Sequence, residues 1–222
     1  DGSTIVFSHQ PSSKIEDRYK MNISTVPADS GSVTTIIDWE GTDSSPRYTP
    51  DGNSVVFTSH GGELEAIGLQ DLYVVNLSSG EIRDLAHTYD RNASIVGFDA
   101  NGRLLIQEPR KTVSALYRVP LNGSEPRLLT REDGLYRGFT VSDDGNRVVY
   151  TYQNSNQPAE VFYSDLNRFS KEKVSALHDE SEFPEMGLTE LLIWTSNDGM
   201  EIEGLLTYPV GYEEGDQVPL IL

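Results

Sequence analysis

Four regularly spaced Asp-Gly or Asn-Gly turns each lead into an apolar run: Asp1-Gly2 before Ser3 to Ser8, Asp51-Gly52 before Asn53 to Ser59, Asn101-Gly102 before Arg103 to Gln107, and Asp144-Gly145 before Asn146 to Tyr152. The second is the fullest. In Ser45-Pro46-Arg47-Tyr48-Thr49-Pro50-Asp51-Gly52 the ring of Pro50 presets φ for turn entry and Asp51 can bond its own backbone. Gly52 supplies the positive φ that a two-residue hairpin requires. The turns begin at 1, 51, 101 and 144, in steps of 50, 50 and 43, which suits four-stranded propeller blades of roughly 40 to 50 residues.

Strand-like runs fill each unit. The first lacks an innermost strand and reads as Thr4 to Phe7, Met21 to Val26 and Val33 to Ile37, with a long polar loop from Gln10 to Lys20. The second reads as Arg47 to Thr49, Ser54 to Ser59, Asp71 to Leu77 and Glu81 to Ala86, with an insertion from His60 to Gln70 longer than a hairpin needs. The third reads as Ser94 to Phe98, Arg103 to Gln107, Ala115 to Leu121 and Pro126 to Leu129, and the fourth as Tyr136 onward, Asn146 to Tyr152, Glu160 to Leu166 and Lys171 to Leu177. Leu72-Tyr73-x-Val75 and Leu116-Tyr117-x-Val119 occupy the same place in successive units, an internal similarity typical of repeats. No stretch carries a ten-residue amphipathic helical pattern, so the expectation is an all-β partial propeller over 1–178, with blades near 1–38, 46–86, 94–130 and 136–177.

Charge narrows the partners. The chain has 222 residues, with 35 Asp plus Glu against 17 Lys plus Arg and a net charge of −18. Such a surface repels phosphate backbones and anionic lipid, which argues against nucleic-acid binding. The acidity serves solubility, or a cationic or amino-terminal ligand. Cysteine is absent, so thiols say nothing of the compartment, and localisation stays open. No apolar run reaches the ~20 residues of a membrane span.

After Leu177 the texture changes. Residues 179–188 are a charged connector, and beyond it Thr189 to Thr195, a turn at Asn197-Asp198-Gly199 and Glu201 to Pro209 make a hairpin longer than those of the repeats. A turn half at one end and Val218-Pro219-Leu220-Ile221-Leu222 at the other both fall inside patterns, and the expectation is an internal fragment of a longer protein.

On Trp194 to Leu206, Tyr208-Pro209-Val210-Gly211-Tyr212 and Val218 to Leu222, this tail resembles the start of the catalytic domain in prolyl oligopeptidase-type serine peptidases, in the acylaminoacyl-peptidase and dipeptidyl-peptidase branch. Ser45 to Gly52 and the loop Gln10 to Asp17 are similar to that family's propeller, and the repeats are shared with non-enzymatic TolB-like and WD40-like propellers. The resemblance implies that 189–222 are the first strands of an α/β-hydrolase domain. It further implies a substrate-gating propeller for an exopeptidase acting on short peptides, with a peptide as partner and no cofactor.

The chemistry the resemblance implies needs a nucleophile on a G-x-S-x-G elbow, an acid and a histidine. No G-x-S-x-G occurs in the sequence, so no residue is named catalytic and the triad is expected beyond Leu222. His60-Gly61-Gly62 copies the letters of an oxyanion loop but lies within a repeat and is read as plain loop. Glu63 and Glu65 are the substrate-binding candidates, because paired propeller glutamates in the dipeptidyl-peptidase relatives fix a peptide's ammonium group; a solvated acidic loop is the competing reading. Arg18 and Arg110 read first as surface arginines, with a substrate carbonyl or carboxylate as the competing reading. His9, His60, His87 and His178 lack metal-ligand spacing, and no metal is expected. Asn22, Asn76, Asn92 and Asn122 begin N-x-Ser sequons from which glycosylation is not inferred. Two other readings stay open: a TolB-like module that docks a protein without chemistry, and an esterase on the same scaffold.

Overall fold

The computed structural model describes residues 2–64, 68–85, 87–88, 92–178 and 184–221. Among these the elements are strands and one 3-10 turn, Ile15–Tyr19. The first sheet is three-stranded, from β1 (Thr4–His9), β2 (Asn22–Pro27) and β3 (Thr34–Ile37) in that order. Three four-stranded antiparallel meanders follow. The second sheet holds β4 (Asp43–Tyr48), β5 (Ser54–Ser59), β6 (Asp71–Asn76) and β7 (Ile82–Asp84). The third holds β8 (Ser94–Phe98), β9 (Leu104–Arg110), β10 (Val113–Val119) and β11 (Arg127–Leu128). The fourth holds β12 (Leu135–Val141), β13 (Arg147–Asn154), β14 (Gln157–Asp165) and β15 (Glu172–Lys173). A separate hairpin pairs β16 (Thr189–Thr195) with β17 (Glu201–Thr207).

The repeated turn fixes each inner hairpin by one local network. Gly52 N–H donates to Thr49 O at 2.8 Å, and the strands close on the Thr49–Ser54 pair, whose backbone bond is 2.9 Å. The loop therefore spans Pro50 to Asn53 rather than the expected two residues. The positive φ stays where the sequence put it, at 71° on Gly52. Thr49 Oγ1 donates to Asp51 and accepts Ser54 N–H, while Asp51 accepts Asn53 N–H. Ser142, Asp144 and Asn146 reproduce this set in the fourth sheet, and Asp99 serves the third by accepting the N–H groups of Asn101 and Arg103. A carboxylate that takes two or more donors is stabilised in its charged form, and Asp144, bonded first to Ser142, is held down to about 2.

Each sheet packs on the next. Ile23 and Ile37 of the first meet Val55, Phe57 and Val75 of the second. Val56, Leu72 and Val74 meet Leu104, Ile106 and Tyr117 of the third. Leu105 and Leu116 meet Tyr136, Val148, Tyr150, Tyr152 and Phe162 of the fourth. Side chains alternate across a strand, so β5 and the first half of β9, covered on both faces, are buried on successive residues, whereas β13 alternates buried and exposed. Polar ties cross the same interfaces. Gln107 and Ser114 of the third sheet donate to Tyr136 O, and Arg118, paired with Asp99, donates to Leu166 O at 2.7 Å.

All three complete inner strands carry an irregularity at the same place. In β4 the register jumps from Ser44↔Thr58 to Arg47↔Val56, in β8 from Ile95↔Ile106 to Gly97↔Leu105, and in β12 from Arg137↔Thr151 to Thr140↔Val149. These are β-bulges, which bend the strand and re-aim its side chains.

Candidate functional site

In an antiparallel meander successive connections alternate between the two edges. The tight Asp-Gly turns therefore share one rim. The other rim collects the connections β1–β2, β5–β6, β9–β10 and β13–β14, together with the links that lead into each next sheet. The three described candidates lie on this second rim: Arg18 in the first connection, Glu63 in the second, and Arg110 at the end of β9. Glu65 lies outside the described residues. Long loops on a rigid scaffold are the usual bearers of binding function.

The terminal hairpin docks on that rim. The β9–β10 turn holds Lys111 at a φ of 53°, and its ammonium lies 2.6 Å from Glu201 Oε1 and 2.9 Å from Glu203 Oε1 of β17. Thr112 Oγ1 reaches Glu203 at 3.4 Å. The hydrogen bonds that Lys111 donates to Glu201 and Glu203 hold its ammonium above its ordinary range, and the Lys111 bond keeps the Glu203 carboxyl below its own. Between the hairpin and the turns of the third and fourth sheets opens a cavity of about 780 Å³, lined by Arg110, Lys111, Asp133, Asn154, Leu191 and Leu205 among others. Its lining sets Val113, Leu135, Leu191 and Leu205 among a majority of polar and charged side chains. The Asp133 carboxylate has no partner among the described residues and is exposed.

The sequence-derived candidates resolve differently. Glu63 is exposed, and its carboxylate is unpaired among the described residues. Arg18 stacks its guanidinium 4.4 Å above the Tyr19 ring and bonds the Tyr19 hydroxyl. Arg110 lines the cavity. The His60-Gly61-Gly62 segment spends its donor internally: Gly61 N–H goes to Ser59 Oγ at 3.0 Å, and Ser59 Oγ donates to the buried Asp43 at 2.6 Å. Burial raises the Asp43 carboxyl above its ordinary value. His9 bonds Ser24, and His87 lies 3.1 Å from Asp71. No group of three or more His, Asp or Glu among the described residues is arranged to hold a metal ion. Asn76 and Asn122, two of the sequon residues, close turns by accepting the N–H and hydroxyl of the serine two residues on.

Lys111, Glu201, Glu203 and Asp133 escaped the sequence reading. They meet only through pairings between distant segments, and the one local signal was the charged turn Arg110-Lys111-Thr112 between two apolar strands.

A family model described as TolB beta propeller domain matches residues 18–202. Dipeptidyl-peptidase 5 of Trichophyton equinum is 20% identical over 240 residues, a match that takes in 99% of this chain and 32% of that protein. The same protein of Trichophyton tonsurans gives the same figures. The chain thus spans about a third of the length of the curated relatives it matches. Among solved structures, the acylaminoacyl peptidase of Pyrococcus horikoshii superposes with a TM-score of 0.68 at 16% identity, covering 92% of this chain and 31% of that one. TolB from Acinetobacter baumannii superposes at 0.61 with 14% identity, covering 92% and 49%. At these identities the superpositions speak for the fold.

Proposed function

Because the chain belongs to the TolB beta propeller domain family, we propose that it is the substrate-gating propeller portion of a serine peptidase that hydrolyses short peptides, releasing aminoacyl or dipeptidyl units. The observation that carries this reading is that the similarity to dipeptidyl-peptidase 5 runs over 99% of the chain, terminal hairpin included. In this reading residues 1–178 form the propeller portion, 179–188 the linker, and 189–222 the opening strands of an α/β-hydrolase domain that supplies nucleophile, base and acid.

The propeller's part is selection and positioning. The rim loops and the cavity under the hairpin admit an extended peptide and exclude a folded one. Glu63, with Glu65 two residues on, accepts the substrate's ammonium through charge-assisted bonds, and Asp133 offers a further carboxylate in the cavity. Lys111 holds the hairpin against the rim. Fixing both ends of the substrate path converts binding energy into orientation at the reacting bond.

The test is an assay of the natural protein that carries this segment, against dipeptidyl and acetyl-aminoacyl arylamides, with a serine-directed fluorophosphonate as inhibitor. Turnover abolished by the probe is the expected result, with none from the 222-residue chain alone. If the longer protein shows neither turnover nor labelling, the peptidase reading fails. The second reading, a propeller that docks a protein partner without chemistry, would then stand; it is favoured by the likeness to TolB.

A further inference from the structure

The inner strand of the second sheet spends a strained residue to aim an arginine. Cross-strand partners share a face, and Val56, the partner of Arg47, belongs to the core against the third sheet. Ser44 and Thr58 are paired on that same face. Residues three apart in an unbroken strand point to opposite faces, so Ser44 and Arg47 share one only because the bulge at Ser45-Pro46 inserts an extra residue. The fourth sheet makes the same bulge with Gly138, at a φ of 64°; here the position is Ser45, at 54°. A side chain is disfavoured in that left-handed region, and such outliers gather where a site needs a fixed geometry.

Beside Arg47 opens a cavity of about 540 Å³ between the second and third sheets. Its wall carries Ser45, Thr58, Gln70, Asn92 and Ser94, and none of the described residues lining it is acidic, in a chain with 35 carboxylate side chains against 17 basic ones. The Arg47 guanidinium and the hydroxyls of Ser45 and Ser94 have no partner among the described residues. Asn92 is oriented, because its Oδ1 accepts Gln70 N–H at 3.1 Å, which leaves its amide N–H groups to donate elsewhere. The cavity thus offers a planar two-pronged cation, an amide donor and two hydroxyls, while the Thr58 hydroxyl is already engaged with Ser44 Oγ at 3.0 Å.

We infer that this inter-sheet cavity binds a carboxylate, the free C-terminus of a short peptide, with Arg47 as the bidentate partner and Asn92 and Ser94 as flanking donors. An arginine fork matches a carboxylate in shape as well as charge. The inference rests on the peptide-substrate reading and adds to it that the propeller selects for length by holding the end opposite the ammonium.

The full chain is titrated with tri-alanine and with tri-alanine amide by calorimetry, and the tri-alanine titration is followed by amide NMR. The acid is expected to bind about tenfold or more tighter than the amide, with shifts centred on Arg47, Asn92 and Ser94, and Arg47→Gln is expected to erase the preference without altering the melting temperature. Equal affinity for acid and amide, a preference that survives Arg47→Gln, or shifts centred elsewhere would overturn the site. Should Arg47→Gln fail to fold, the wild-type shift map decides. Acetate competing as well as the peptide would overturn the peptide assignment. A longer protein that cleaves nothing while this chain still prefers the acid refutes only the peptidase reading; a longer protein that cleaves peptides while this chain treats acid and amide alike refutes only the site.

Discussion

Strand β5 of the second sheet and strand β13 of the fourth are nearly the same word. Val55-Val56-Phe57-Thr58 and Val148-Val149-Tyr150-Thr151 follow the same turn chemistry and pair with their neighbours in matching register. Yet Val56 is fully buried, while Val149 is 43% exposed. Val55 and Val148 are both fully buried. The difference lies in what stands beside each sheet. The second is flanked on both faces, by the first and third sheets, whereas the face of β13 that carries Val149 is met by no other sheet among the described residues. Burial in a stacked-sheet protein is set by the neighbour, not by the strand.

The comparison breaks most readily at those two valines. Val56→Asp puts an unpaired carboxylate in a dry interface and should abolish cooperative unfolding. Val149→Asp should shift stability by no more than about 0.5 kcal/mol. Urea denaturation followed by circular dichroism separates them, and equal damage would mean that the outer face of β13 is covered in solution.

A second, smaller effect sharpens the covered face of the fourth sheet, where Glu160 sits 1% exposed opposite Tyr152. The Ser175 hydroxyl and the N–H groups of Leu177 and His178 hold its carboxyl down to about 2, from an ordinary 4.5. A group whose folded pKa is depressed stabilises the fold above its unfolded value, and that stability is lost as pH falls through the folded value. Melting temperature should therefore drop between pH 4.5 and about 2, and Glu160→Gln should flatten that part of the profile by lowering its upper end. An unchanged profile would detach Glu160 from the fold's acid sensitivity.

The smallest effect tests what the two sheets share. Thr49→Ala and Ser142→Ala each remove a hydroxyl that bridges an aspartate and the closing backbone pair of its turn. Each should cost about 1 kcal/mol, and by similar amounts, because the bonds are local. A much larger loss at Thr49 would show that covering both faces also tightens the turns.

The terminal hairpin extends the lesson. Ser196, Asp198 and Gly199 repeat the blade-turn chemistry, with Met200 N–H bonded to Asp198 at 3.1 Å. Even so, Leu191, Leu192, Ile193 and Trp194 are between 42% and 57% exposed. The sequence reading set this hairpin apart by its length and spacing, and the structure pairs it as its own two-stranded sheet. It did not foresee the ion pairs of Lys111 that fasten the hairpin to the rim. Nor did it separate Arg47 from the other surface arginines, since a bulge leaves no mark in a run such as Ser-Pro-Arg-Tyr beyond its proline. The described loop candidates share one rim because a meander fixes which connections lie together.

By itself the sequence determined where the chain turns, how many strands each unit holds and the period of the repeat, because those follow from interactions within about six residues of Asp51, Asn101 and Asp144. Only the tertiary structure decided which faces of nearly identical strands are dry, which arginine is turned into a cavity, and which charges meet across the rim. Those outcomes depend on contacts between units far apart in the chain, and no residue's letters encode its neighbour across a gap between sheets.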